Sequence, residues 1–228
     1  MDSDPNAAPI NPLPAGVIIL ALPIVLAELA FAAGANGYFG GPDAVGWRLA
    51  AIQKFAFFGP LFDEMIGTGR WPPEHLLRFL TYPFVHWGFT HMLMVLVFLL
   101  ALGKMVGDVF GSLSLIAIFF GSAMLGALAF ALITNDPNPL VGGYPAVYGL
   151  IGAYTFILWV RIGVMGGPQY QAFSLIAVLL AIQLVFGLLF GSGLDWIAEV
   201  AGFTAGFFLS FVVSPGGWSR VRARLRHR

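Results

Sequence analysis

Six long apolar stretches, at about Leu13–Ala33, His86–Gly107, Leu113–Ile133, Gly143–Trp159, Ala172–Phe190 and Leu194–Val213, constrain this chain more than any other feature. A helix needs about 20 apolar residues to cross the hydrocarbon of a bilayer. In lipid every backbone N–H and C=O must be satisfied within the spanning structure, which leaves helices or closed barrels. These runs are continuous rather than alternating, so they read as helices. Composition agrees: 59% of the 228 residues are hydrophobic and 10% are charged, where a soluble domain carries roughly 25% charged residues. The fold expected is all-α, a polytopic membrane protein of six transmembrane helices.

The same numbers exclude other classes. Net charge is zero and no basic face precedes the C-terminus, so no nucleic-acid partner is expected. Cysteine is absent, which removes disulfides, thiolate catalysis and cysteine-rich metal sites. No cofactor and no metal are expected.

Along the chain, residues 1–11 are polar and broken by proline and read as a disordered tail. They lack a basic region ahead of the apolar run, so that run reads as a span and not as an ordinary signal peptide. A membrane domain covers 12–213, and within it 34–85 is too polar to span yet rich in Trp, Phe and Leu. It reads as an interfacial loop domain of short amphipathic helices. Glu28, near the end of the first span, is expected to reach the interface. A tight Gly-Asp turn is expected near Asp108, and no internal repeat is evident. The basic tail, 214–228, holds Arg220, Arg222, Arg224, Arg226 and Arg228. Short basic flanks lie on the cytoplasmic side, so with six spans both termini are expected in the cytoplasm, at a bacterial inner membrane.

Several motifs follow one another. Arg78 stands in LLRFLTYPFVH; the second span opens HWGFTH, with His86 and His91; the fourth begins GGYPAVYGL; the sixth reads DWIAEVAGFTAG, with Gly202 and Gly206 four apart. Small residues at that spacing let helices approach closely in lipid. In this order the motifs resemble the rhomboid family of intramembrane serine proteases, from about Leu76 to Gly206. The resemblance implies a rhomboid-type six-helix bundle, and a serine on the fourth span activated by a histidine on the sixth. It also implies an oxyanion site supplied in part by a histidine and an asparagine on the second span.

Laid on this sequence with Tyr148 and Gly202 as register marks, the serine position is Tyr144, followed by Pro145, and the histidine position is Glu199. His86, His91, Arg78, Tyr148, Gly202 and Gly206 are kept, while Val95 stands where asparagine belongs. A phenol needs strong activation to attack, proline has no N–H to give an oxyanion, and valine donates nothing. No catalytic residue is therefore assigned. The arrangement expected is a structural tie, with the Tyr144 hydroxyl donating to Glu199 across the two helices. A proton path through Glu199, His91 and His86 is a sharper reading. A metal site there is disfavoured, since histidines five apart on one helix do not share a face.

Three functions remain open at this point. One is a catalytically inactive rhomboid that binds transmembrane segments of client or partner proteins, in quality control, trafficking or assembly. The second is an active endopeptidase with unorthodox residues. The third is a structural subunit of a larger membrane complex.

Overall fold

The structure, a computed structural model, describes residues 12–190 and 193–214; the tail 1–11 and nearly all of the basic tail lie outside them. Nine α-helices are described: α1 Ala15–Ala35, α2 Trp47–Phe55, α3 Gly59–Thr68, α4 Pro73–Thr81, α5 Phe89–Phe110, α6 Ser112–Ile133, α7 Tyr144–Val164, α8 Ser174–Phe190 and α9 Asp195–Val213. Among the described residues there is no strand, only an isolated antiparallel bridge between Phe57 and Leu140.

Five helices (α1, α5, α6, α7 and α9) are long and apolar enough to cross a membrane. The sixth apolar helix is α8, at 17 residues. At 1.5 Å per residue it measures about 25 Å, the short end of the spanning range. The fold is a rhomboid-type all-α bundle.

The bundle centres on α7, which packs against α6 and α9. The reason is side-chain size. A Cβ at Gly206 would overlap the Gly149 carbonyl, and one at Gly202 would overlap the carbonyl of Pro145. Those two glycines therefore bring α9 onto the backbone of α7, as their spacing predicts. On the other side α1 lies on α5 and α6, where the Gly16 N–H donates to Ser112 Oγ (3.0 Å).

The segment between α1 and α5 folds into α2, α3 and α4. Arg78 of α4 donates through Nη1 to the carbonyls of Gln53 (2.9 Å) and Ala56 (2.8 Å), satisfying the exposed C-terminal end of α2. Phe57 packs on Phe79 with ring centroids 4.6 Å apart. The segment is then pinned to the bundle twice. Tyr82, fully buried, donates its hydroxyl to the Ala123 carbonyl of α6 (2.8 Å). Phe57 and Leu140 exchange backbone hydrogen bonds of 3.2 and 2.8 Å, which fixes the strand-like approach to α7.

Three expectations need correction. Glu28 is not left open to solvent: it is 6% exposed and paired with Arg48 of α2 through two bonds of 2.7 and 2.8 Å. A buried carboxylate needs such a partner. Asp108 is not a turn but lies inside α5, where it pairs with Lys104 (3.0 Å); the chain turns at Gly111, whose φ of +83° suits glycine. His86 is not on the second span. Gly88 is fully extended (φ −177°, ψ 177°), and α5 starts only at Phe89.

Candidate functional site

Leaving the helix frees His86 to meet His91. Their rings stand edge to face, 5.2 Å between centroids and 83° between planes. The objection that two histidines five apart cannot share a face therefore falls away. The His86 side chain is buried behind the site. Its Nε2 receives a long hydrogen bond from the Gly143 N–H (3.4 Å), and Arg48 Nη1 donates to its carbonyl (3.1 Å). Burial, then the neighbouring His91 and Arg48, push its pKa down to about 3. The ring is neutral at physiological pH.

His91 occupies the first turns of α5, where its Nδ1 receives the Trp87 N–H (3.4 Å). Space for its ring is provided by Gly142, at φ +96°, where a Cβ would come within 2.7 Å of the imidazole. On the other side Tyr144 stacks on His91, with centroids 5.1 Å apart and planes 16° apart. Tyr144 and Pro145 are the first two residues of α7. The first N–H groups of a helix have no intrahelical partner, so Pro145 costs the helix nothing there. It does remove one donor from the cavity wall. Val95 is fully buried, and its Cγ1 fills the space beside Gly143.

The expected Tyr144–Glu199 bond is not formed. Glu199, 7% exposed, instead accepts from Gln183 Nε2 of α8 (2.5 Å), and it shares a cavity wall with Tyr148. Tyr148 lies one helical turn below Tyr144, on the face that meets α9. Tyr144, committed to the histidine ring, shares only a cavity with Glu199.

That cavity measures about 410 Å³ and is lined among others by His91, Met94, Tyr144, Gln183, Asp195 and Glu199. A second one, of about 290 Å³, adjoins it and is walled by Phe98, Leu179 and Ile182; the two share Tyr144, Gln183 and Glu199. Together they form a groove between α5 and α8 with α7 and α9 as its floor. Among the described residues no group of three or more His, Asp or Glu is placed to hold a metal ion. Two hydroxyls, Ser122 Oγ on α6 and Thr155 Oγ1 on α7, are buried without a hydrogen-bond partner.

The sequence residues thus divide. His86, His91, Val95, Tyr144, Pro145, Tyr148 and Glu199 converge on one end of α7. Arg78 is remote and caps α2, while Gly202 and Gly206 set the spacing of α7 and α9. Two participants escaped sequence reasoning. Gln183 is the one amide in the apolar run of α8, and Asp195 is one turn before Glu199 on α9. A lone polar residue within a span is the signal that could have found the first.

Comparison with known proteins agrees with this architecture. The Rhomboid domain family matches residues 73–216. The chain is 29% identical to RHOMBOID-like protein 4 of Arabidopsis thaliana over 64% of its own length and 36% of the relative's. It is 27% identical to Rhomboid-like protease 2 of Toxoplasma gondii over 68% of its length and 52% of the relative's. It is also 27% identical to RHOMBOID-like protein 5 of Arabidopsis thaliana, over 72% and 50%. The chain therefore spans about a third to a half of the length of these relatives. The match covers α4 to α9, the helices that carry the groove and its polar residues, and the chain is an integral membrane protein belonging to the rhomboid family.

Proposed function

We propose that this chain is a catalytically inactive rhomboid that holds transmembrane segments of partner or client proteins in the groove between α5 and α8. The observation that carries the reading is the state of Tyr144. Its ring is stacked on His91 and has no imidazole base beside it on α9, where Glu199 is engaged by Gln183. Nucleophilic catalysis needs a hydroxyl within hydrogen-bond reach of its base. Pro145 and Val95 each leave one place without a donor where an oxyanion would need it. The groove itself is intact, and its outer part is walled by apolar side chains. Such a groove suits an apolar helix in lipid, and the bilayer is the remaining partner.

The setting proposed is a bacterial inner membrane with both termini cytoplasmic. Photo-crosslinking in cells tests the binding role. A photoreactive residue at Ile182, on the groove wall, should trap single-span proteins, while one at Leu132, exposed on α6 and outside the groove lining, should not. One stoichiometric partner trapped from both positions would mark a subunit of a complex instead. The name of one relative, Rhomboid-like protease 2, favours a second reading as an endopeptidase, and cleavage of a transmembrane substrate by the purified protein would separate it from the first.

A further inference from the structure

A net charge of zero conceals a separation of charge between the two ends of the bundle. One end gathers the end of α1, the segment 36–88 and the starts of α7 and α9. It holds every acidic residue from Glu28 to Glu199 except Asp108, eight of the chain's eleven, but only Arg48, Lys54, Arg70 and Arg78 of its eleven basic ones. At the opposite end α5, α7 and α9 finish and α6 begins. That end is tied by the Gly16 N–H on Ser112 Oγ (3.0 Å) and by Ser114 Oγ, which donates to the Val213 carbonyl (3.0 Å). Lys104 stands there, paired with Asp108 (3.0 Å), and Arg161, exposed, lies in the last turn of α7. From this end the sequence continues to Arg220, Arg222, Arg224, Arg226 and Arg228, and the remaining carboxylates are Asp2 and Asp4, ahead of α1.

Where α9 stops decides what those arginines can reach. Its 19 residues measure about 28 Å, close to the roughly 30 Å of bilayer hydrocarbon, so Val213 stands at the membrane boundary. Arg220 follows seven residues later, within about 25 Å along the chain. Trp218 comes just before the arginines, and tryptophan favours the membrane interface. All five cations are arginine, whose planar fork matches the oxygens of a phosphate. We propose that these five arginines bind the phosphate headgroups of anionic phospholipids in the leaflet that borders the C-terminal end of α9. A nucleic acid offers the same phosphates but has to be drawn from solution. The leaflet stands at the end of the helix that carries the arginines, so its phosphates are present at high effective concentration. The site is separate from the groove and independent of what the groove holds.

The chain has no cysteine, so Ala223→Cys places a single environment-sensitive fluorophore among the arginines of the full chain. Its emission is read in vesicles of phosphatidylcholine and in vesicles of phosphatidylcholine mixed with phosphatidylglycerol. Both leaflets are alike, so either orientation of insertion gives the same reading. A blue shift is expected only where phosphatidylglycerol is present. Raising salt from about 0.1 M to about 1 M shortens the screening length from about 10 Å to about 3 Å and should reverse the shift. Arg220→Gln, Arg222→Gln, Arg224→Gln, Arg226→Gln and Arg228→Gln, made together, should abolish it. No shift with phosphatidylglycerol, or an equal shift in both kinds of vesicle, overturns the proposal. So does a shift that survives high salt or the five substitutions. A shift produced by single-stranded RNA in phosphatidylcholine vesicles, and not by phosphatidylglycerol, overturns it in favour of a nucleic acid.

Discussion

Gln183 of α8 donates its side-chain amide to the carboxylate of Glu199 on α9. This places a polar bond from the shortest apolar helix of the bundle at the position where the resemblance to rhomboids leads one to expect a catalytic base. The bond makes the two helices energetically dependent on each other. Gln183→Leu and Glu199→Leu should each destabilise the protein, and the double variant should cost less than the two singles together. Interhelical bonds in membranes average roughly 0.6 kcal/mol, with a maximum near 1.7. Thermal unfolding in detergent measures the cycle. Tyr144→Phe should show no coupling to Glu199→Leu, because the Tyr144 hydroxyl is not that carboxylate's partner.

The Glu28–Arg48 pair joins α1 to the segment that precedes α5, and Arg48 also holds the His86 carbonyl. Removing the cation leaves a buried carboxylate behind. Arg48→Ala should cost about 2–3 kcal/mol, at or below the lower end of the range for breaking a fully buried pair, since the Arg48 side chain is 25% exposed. Arg48→Met combined with Glu28→Leu should recover most of it. Equal losses for the single and the double variants would contradict a paired role.

His86 gives a dependence on pH. Its pKa falls from 6.5 in the unfolded chain to about 3 in the fold, so the folded state prefers the neutral ring. The unfolded chain then binds more protons between those values. The contribution is fully present above pH 6.5 and is lost as pH falls toward 3, by up to about 1.4 kcal/mol per pH unit. A His86→Gln variant should show a flatter decline of thermal stability between pH 7 and 4.5. An unchanged slope would mean that other groups carry it.

Much of the bundle was legible in the sequence, for a physical reason. Lipid leaves a spanning helix no choice but a continuous apolar run, so α1, α5, α6, α7, α8 and α9 announce themselves. Gly202 and Gly206 likewise reveal the close approach of α7 and α9, because only small residues permit it. What stayed hidden depends on partners remote in sequence. The partner of Glu28 is Arg48, on a separate interfacial helix 20 residues away. Which side chain meets Glu199 depends on the rotation of α8, which its nearly uniform apolar surface does not encode. The meeting of His86 and His91 depends on one extended glycine, Gly88, that keeps His86 off the helix.

Orientation rests on the arginines of the C-terminal tail and on the parity of six spans. Reporter fusions after Arg228 and within the segment 34–85 should read cytoplasmic and non-cytoplasmic respectively. A non-cytoplasmic tail would reverse the scheme.

The proposal of an inactive site is tested by incubating the purified protein in vesicles with a rhomboid-type transmembrane substrate and a fluorophosphonate probe. Neither cleavage nor labelling is expected, because Tyr144 stacks its ring on His91 and has no imidazole on α9 to take its proton. Tyr144→Ser alone should restore nothing. Glu199, Pro145 and Val95 still withhold the base and oxyanion donors, and a single lost donor costs about a hundredfold or more in rate. Cleavage by the unaltered protein that Tyr144→Phe abolishes would show that the site is an active one.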